Sequence, residues 1–299
     1  MPTPRGLGIA LVPVVLLSWL LLALVFPETP KEIWWVCAGA ALLACISWID
    51  DVKGLPVTPR LLAQIVVVVA GVHFFGGPLL LQSAGVPPLA SRLVTVALWL
   101  GLINQVNFTD GIDGHLGAML ATVGAGLFTI SLFTHSLGTL GPFGLTLATA
   151  AIGFLVWNWH PAKGFMGDVG SVPLGFIVGW MLLRTASLGQ WAPALILPLF
   201  YFADTAVTYA RRIAHGTHFW KPHREYLYQR AALRIGHARV VTVVALCNVL
   251  LVGPAVVAAR GAPWLALLLA VVPVASAYAY LTRLAGPVEI RAETGRTLA

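Results

Sequence analysis

Acidic side chains are scarce in this chain. Only 11 of its 299 residues are Asp or Glu, and charged residues of both signs make up 10%. A soluble globule carries about 25%, so an ordinary water-exposed surface is excluded. Cysteine is also rare. Cys37, Cys45 and Cys247 lie singly in apolar stretches, which argues against a disulfide framework or a cysteine metal set and leaves them as small lipid- or core-facing residues. No internal repeat or low-complexity stretch stands out. Apolar residues are abundant, at 59% of the chain with a mean hydropathy of +0.87. The composition predicts an all-α, polytopic membrane bundle, one domain over residues 1–299, with no room for a separate soluble domain.

A membrane span needs about 20 mostly apolar residues. Ten cores qualify once flanking residues are borrowed: Leu7–Phe26, Ile33–Ile49, Leu61–Phe75, Leu93–Val106, Leu116–Phe133, Phe143–Val156, Val172–Leu183, Ala192–Tyr209, Val240–Val257 and Trp264–Leu281. Gly77-Pro78 and Gly141-Pro142 mark turns. With both termini inside, the inner pieces hold 14 of the 18 Lys and Arg residues and the outer pieces hold Lys31, Arg92, Arg184 and Arg260. Cytoplasmic loops carry the excess of positive charge, so this count orients the bundle. The net charge of +7 comes from loops beside apolar segments, where it serves topology, and nucleic acid is excluded as a partner.

The few carboxylates are not scattered. Six of the 11 fall in four clusters: Asp50-Asp51, Asp110 and Asp113, Asp168, and Asp204. The orientation places all four toward the cytoplasm. Two adjacent carboxylates in a membrane interface repel each other and stay ionised at little cost only near a cation or donor, so Asp50-Asp51 reads either as a solvated helix end or as a pair beside a divalent ion and a phosphate. The run Asn104-x-x-Asn107-x-x-Asp110-Gly111-x-Asp113-Gly114 is more specific. Each Asp precedes a glycine, which permits close backbone approach to a ligand, and a simple polar turn would not need so many amides and carboxylates. Its spacing is wrong for an EF-hand. Asp168 sits between glycines at a helix start, where the free N–H groups favour an anion. Mg²⁺ takes one or two carboxylates with phosphates and water, so Asp168 is the expected metal ligand.

The longest inner loop, residues 211–239, is strongly basic and crowds His218, His223, Arg224, Tyr226, Tyr228 and Gln229 together. It reads either as a basic surface for anionic lipid or as a clamp for diphosphate and sugar. No Cys/His spacing in it supports a zinc site.

Taken together, these motifs give a resemblance. Pro2-Thr3-Pro4-Arg5-Gly6, Asp50-Asp51, the Asn/Asp/Gly run, Asn158 with Phe165-Met166-Gly167-Asp168, Asp204 before Arg211-Arg212 and the last basic loop resemble the polyprenyl-phosphate N-acetylhexosamine-1-phosphate transferases, glycosyltransferase family 4. The resemblance runs over nearly the whole chain. It implies transfer of N-acetylhexosamine-1-phosphate from a UDP-sugar to undecaprenyl phosphate, giving UMP, at the cytoplasmic face of a bacterial inner membrane. It implies Mg²⁺, with Mn²⁺ as a substitute, and a homodimer. Residue by residue, it makes Asp50 and Asp51 the essential pair, with Asp50 activating the lipid phosphate, and Asp168 the metal ligand. Asn104, Asn107, Asp110 and Asp113 become the nucleotide-sugar loop, and Phe165 the aromatic near uracil. Asn158, Lys53, His223 and Arg224 fall near the diphosphate and sugar.

Departures from the pattern narrow the branch. The pentapeptide-transferring members carry consecutive histidines in the last inner loop, and the teichoic acid branch carries His-x-His-His. Here the stretch reads Tyr226-Leu227-Tyr228-Gln229, which argues against the pentapeptide substrate, and His223-Arg224 followed by Tyr228-Gln229 resembles the O-antigen and related polysaccharide-initiating branch, although that branch often has His where Tyr226 stands. In the family Pro-Thr-Pro-Arg-Gly follows a first span, so its place at the start of this chain implies a helix missing ahead of it. The competing class is a transporter or flippase for an anionic lipid or sugar phosphate. Such proteins keep ionisable groups near the bilayer midplane, whereas here they gather at one face.

Overall fold

The structure, a computed structural model, describes residues 3–217, 223–286, 290–291 and 297–298. Pro2, His218, Lys221 and Arg296, which enter the motif and charge readings, lie outside the described residues. The described chain is all-α apart from a two-residue pairing of Ile290–Arg291 with Thr297–Leu298. Its helices are α1 (Gly8–Val25), α2 (Glu32–Lys53), α3 (Val57–His73), α4 (Pro88–Thr109), α5 (His115–Thr134), α6 (Leu140–Asn158), α7 (Asp168–Ser187), α8 (Trp191–Ile196), α9 (Leu199–Ala214), α10 (Leu227–Ile235), α11 (His237–Ala259) and α12 (Pro263–Ala285).

Eight of these, α1, α2, α4 to α7, α11 and α12, are long and apolar enough to cross a membrane. This is a polytopic membrane protein. The 17-residue α3 takes the place of the third expected span. The eighth is broken at Pro198, which has no N–H to donate into the preceding turn and leaves helical geometry at φ −94°, ψ +17°, so the expected Ala192–Tyr209 span becomes α8 and α9. The loop expected over residues 211–239 contains α10, and α11 begins within it at His237.

Helix α7 is the axis of the bundle. Sixteen of its 20 residues are buried, and α1, α2, α4 and α8 surround it. Apolar contact gains little over lipid within a bilayer, so helices associate there through close packing and interhelical hydrogen bonds. Both devices are present. Gly8 of α1 lies against Gly170 of α7 so closely that a β-carbon at either would collide with the other's backbone. Trp99 of α4 stacks on Phe176 at 4.7 Å and donates its indole N–H to the Phe176 carbonyl at 2.9 Å. On the outer faces, Leu17 and Leu21 of α1 and Leu265 and Leu268 of α12 are exposed, as lipid-facing surfaces should be.

Helices α2 and α7 run antiparallel and are tied at both ends. At one end Arg184 pairs with Glu32 at 3.3 Å, both largely buried. Each charge also complements a helix dipole, Glu32 in the first turn of α2 and Arg184 in the last turn of α7. At the other end the two helices meet through carboxylates.

Candidate active site

Asp50 and Asp51 close α2, and Gly54 turns the chain toward α3 in a left-handed conformation, φ +67°. The turn lets the Leu55 N–H donate to Asp50 Oδ1 at 2.7 Å. It also brings Arg60, in the first turns of α3, back over α2. The Arg60 guanidinium lies 2.6 Å from Asp50 Oδ2 and 3.3 Å from Asp168 Oδ2. One cation therefore bridges the carboxylates of two helices.

Asp168 opens α7. A helix start leaves several N–H groups without partners inside the helix. Gly167, at φ +74°, directs two of them at α2: the Asp168 and Val169 N–H groups donate to the two oxygens of Asp51 at 3.2 and 2.9 Å. Asp51, expected as half of a catalytic pair, thus has both oxygens engaged and positions Asp168. Gly167 tolerates no side chain here, since a β-carbon would sit 2.8 Å from Asp51 Oδ2.

Helix α4 supplies the next wall. The Asn107 Oδ1 accepts the Ser171 hydroxyl at 2.7 Å, and Asn104 donates to its own helix at Leu100. Asp50, Arg60, Asn104, Asn107 and Asp168 all line a cavity of about 540 Å³, which continues along Leu43, Ile46, Val57, Leu61 and Val172. The space has an ionic head and an apolar flank.

Asp110 follows directly on α4. No described hydrogen bond or ion pair reaches its carboxylate, and burial together with the charges of Asp168 and Asp51 pushes its pKa up to about 7. The strand-like segment Pro4–Leu7 pairs with the backbone of Phe165, which brings the Arg5 charge to bear on Asp110 and Asp168.

The remaining expected site residues are placed elsewhere. Asn158 is buried and acts as a brace: its Oδ1 accepts the Gly114 N–H at 2.8 Å and its Nδ2 donates to the Gly164 carbonyl at 2.9 Å. Asp113 does not line the cavity. Its Oδ2 accepts from the Ala162 N–H at 3.1 Å and lies 2.7 Å from His160 Nδ1, and His237 flanks its Oδ1. Burial opposes ionisation of Asp113, but these partners outweigh it and hold the carboxyl below its ordinary value. Phe165 is half-buried and engaged through its backbone. Lys53 and Arg224 are exposed, and no described hydrogen bond or ion pair reaches either. His223 packs near Tyr226 and Tyr209, and Tyr209 lines the cavity. Burial, then the Arg212 charge, pushes the His223 pKa down, which favours the neutral ring.

The last loop docks on the Asn/Asp/Gly loop. Asp204 accepts the N–H groups of Leu227 and Tyr228 at 2.9 and 3.3 Å and so caps α10. Tyr228 stacks on His115 at 4.1 Å and donates its hydroxyl to the Phe108 carbonyl at 2.6 Å. Tyr226 is almost fully buried, with its hydroxyl 3.3 Å from that of Tyr209.

Sequence reasoning missed Arg60 and Ser171 as site residues. Arg60 counted only as a topological charge, although it is the one basic residue in the first turns of the span that follows Asp50-Asp51. Ser171 lies one helical turn past Asp168, on the same face.

The chain is similar to known proteins. The model of the family described as Glycosyl transferase family 4 matches residues 33–186, just over half the chain and the stretch that carries Asp50, Arg60, Asn107 and Asp168. The chain belongs to glycosyl transferase family 4. Among curated members, "Probable undecaprenyl-phosphate N-acetylglucosaminyl 1-phosphate transferase" of Bacillus subtilis (strain 168) is 29% identical over 246 residues, covering 78% of this chain and 67% of its own. "Decaprenyl-phosphate N-acetylglucosaminephosphotransferase" of Mycolicibacterium smegmatis is 29% identical over 280 residues, covering 79% of this chain and 66% of its own. "Phospho-N-acetylmuramoyl-pentapeptide-transferase" of Latilactobacillus sakei is 42% identical over 112 residues, 37% of this chain and 34% of its own. The chain spans about two thirds of the length of the first two relatives.

Proposed function

We propose that this family 4 member transfers N-acetylhexosamine-1-phosphate from a UDP-sugar to undecaprenyl phosphate at the cytoplasmic face of a bacterial inner membrane, releasing UMP and starting a cell-surface polysaccharide. The observation that carries the reading is the Asp50–Arg60–Asp168 bridge at the head of a cavity with an apolar flank. A lipid phosphate is the ligand with that polarity: the phosphate meets Arg60, and the first prenyl units lie along Leu43, Ile46 and Leu61. Arg60 Nε is buried and unpartnered, so a donor remains for a phosphate oxygen. Two relatives that match nearly four fifths of the chain carry polyprenyl-phosphate and N-acetylglucosamine in their names, which makes UDP-N-acetylglucosamine the first sugar to test.

The residues fit a divalent metal. Asp50, Asp51, Asp110 and Asp168 outnumber the nearby cations, and Asp110 is an unpartnered carboxylate whose ionisation its neighbours oppose. Asp168 and Asp110 would hold Mg²⁺, which needs only one or two protein carboxylates. When bound, Mg²⁺ offsets charge on the diphosphate and on the departing UMP. The chain's own groups do the rest. Arg60 gathers the lipid phosphate, and Asn104 and Asn107 offer amides to the diphosphate and sugar. The lipid phosphate oxygen attacks the sugar-bearing phosphorus, and that phosphorus loses its bond to the oxygen that leaves with UMP. A phosphate monoester has its second pKa near about 6, so it needs little help from a base. Asp50 is held by Arg60 and the Leu55 N–H, which suits it to orient the nucleophile or take a residual proton. The same contacts weaken it as a covalent nucleophile.

UMP release by the purified protein, supplied with undecaprenyl phosphate and a panel of UDP-N-acetylhexosamines, tests the proposal. Release is expected to require Mg²⁺ and the lipid phosphate together. Failure of every UDP-sugar to yield UMP, with the protein folded, overturns it.

A further inference from the structure

Away from the carboxylate cluster, three segments distant in sequence bring together ligands of a different chemical kind. Asp113 lies in the loop between α4 and α5, His160 follows α6, and His237 is the first residue of α11. Among the described residues this is the one group of three or more His, Cys, Asp or Glu whose ligand atoms all lie within 4.8 Å of one another.

The contacts within the group are in conflict as they stand. His237 Nδ1 lies 3.3 Å from the Asp113 amide nitrogen and 3.3 Å from Asp113 Oδ1. That nitrogen can accept the amide proton or donate to the carboxylate, but not both. In the first state its lone pair faces an oxygen lone pair, and in the second its proton faces the amide proton. The other carboxylate oxygen already lies 2.7 Å from His160 Nδ1. Two imidazole nitrogens therefore converge on one buried carboxylate, and a cation shared by the three removes the lone-pair conflict.

We propose that Asp113, His160 and His237 form a second cation site, selective for a borderline transition-metal ion of the Zn²⁺ class and separate from the carboxylate cluster. Oxygen-only sites suit Mg²⁺, while imidazole nitrogens shift preference toward Zn²⁺, Co²⁺ and Ni²⁺. Zinc ligands stand roughly 2.0–2.2 Å from the ion, which separates tetrahedral ligands by about 3.3–3.6 Å. The 3.3 Å contact of His237 already meets that spacing, and the 2.7 Å contact of His160 needs to open by less than an ångström. His160 is exposed, so the site has an entry path and room for water as a fourth ligand. An ion there staples the Asp110–Gly114 loop to the start of α11 and to the segment after α6. The same loop is braced by Asn158, so occupancy fixes the approach to Asp110.

Equilibrium binding to the full-length protein in detergent, after chelator treatment, tests this without any assay of turnover. About one equivalent of Zn²⁺ is expected to bind in the presence of excess Mg²⁺, and Co²⁺ is expected to give the visible absorption of a low-coordinate nitrogen-ligated site. Losing a supporting partner of a metal ligand costs roughly 10–100-fold in affinity, and losing a ligand itself should cost at least that. His160→Gln and His237→Gln, each made alone, should both weaken Zn²⁺ binding accordingly, whereas Asp168→Asn should leave it intact. His160→Gln alters an exposed loop side chain, which keeps the test usable if His237→Gln fails to fold. Zn²⁺ binding that is absent in the wild type, or unchanged in His160→Gln, or abolished by Asp168→Asn, overturns the proposal. The last result would place the ion in the carboxylate cluster.

Discussion

Asp51 holds Asp168 by the backbone: its two carboxylate oxygens accept the Asp168 and Val169 N–H groups, so the end of α2 caps the start of α7. The expected metal ligand is thereby fixed by a residue that does not itself face the cavity. Removing a capping side chain costs about 0.5–2 kcal/mol. Asp51→Ala should lower thermal stability modestly and kcat strongly, with Asp51→Asn between the two because an amide oxygen still accepts one N–H. Thermal melts beside UMP-release kinetics check this. A variant Asp51→Ala with wild-type kcat would show that the cap has no bearing on turnover.

Arg60 is expected to act on the lipid substrate. A charge-assisted hydrogen bond is worth roughly 1.5–3 kcal/mol, or about tenfold to a hundredfold in kcat/KM. Arg60→Gln should lose that much toward undecaprenyl phosphate while the KM for the UDP-sugar moves little. Equal losses toward both substrates would assign Arg60 a general electrostatic role.

Asp110 links metal binding to pH. Its folded-state pKa is raised from 3.8 to about 7, so the folded protein holds this proton more tightly than the unfolded chain. Metal-free stability from this group is therefore greatest at low pH and declines as pH rises from 3.8 toward about 7. A divalent ion competes with the proton. Mg²⁺ affinity should weaken as pH falls below about 7, with proton release on binding measurable by calorimetry in buffers of different ionisation enthalpy. In Asp110→Asn both the pH dependence and the proton release should shrink, leaving the part due to the Asp168 carboxyl.

Glu32 and Arg184 set the far end of the α2–α7 pair. Breaking a buried ion pair by removing one partner costs about 3–5 kcal/mol, because a charge is left without compensation. Glu32→Gln should destabilise strongly in chemical denaturation. The double variant Glu32→Gln, Arg184→Gln should be less destabilised than the sum of the singles. Additive single losses would mean that the two side chains do not interact across α2 and α7.

Much of the molecule can be read in one dimension. The apolar segments, the positive-charge bias and the Asp-Gly and Gly-Asp motifs depend on local composition and on short spacing, which the chain displays directly. Spans of about 20 apolar residues must be helical in lipid, because every backbone group has to find its partner within the segment. The sequence by itself therefore determined an all-α membrane bundle and the family, but not the break at Pro198 that divides the eighth span or the helix α10 inside the last loop. It could not tell which carboxylates work together, because that depends on pairings between helices. Asp51 and Asp168 are 117 positions apart, and only the packing of α2 against α7 turns one into the cap of the other. Arg60 looks like a topology signal until the turn at Gly54 folds α3 back over Asp50. Asp113 reads as one more member of the Asn/Asp/Gly run. The tertiary structure alone removes it from the cavity and sets it between His160 and His237, 47 and 124 positions away, because a loop side chain points wherever its neighbouring helices leave a partner.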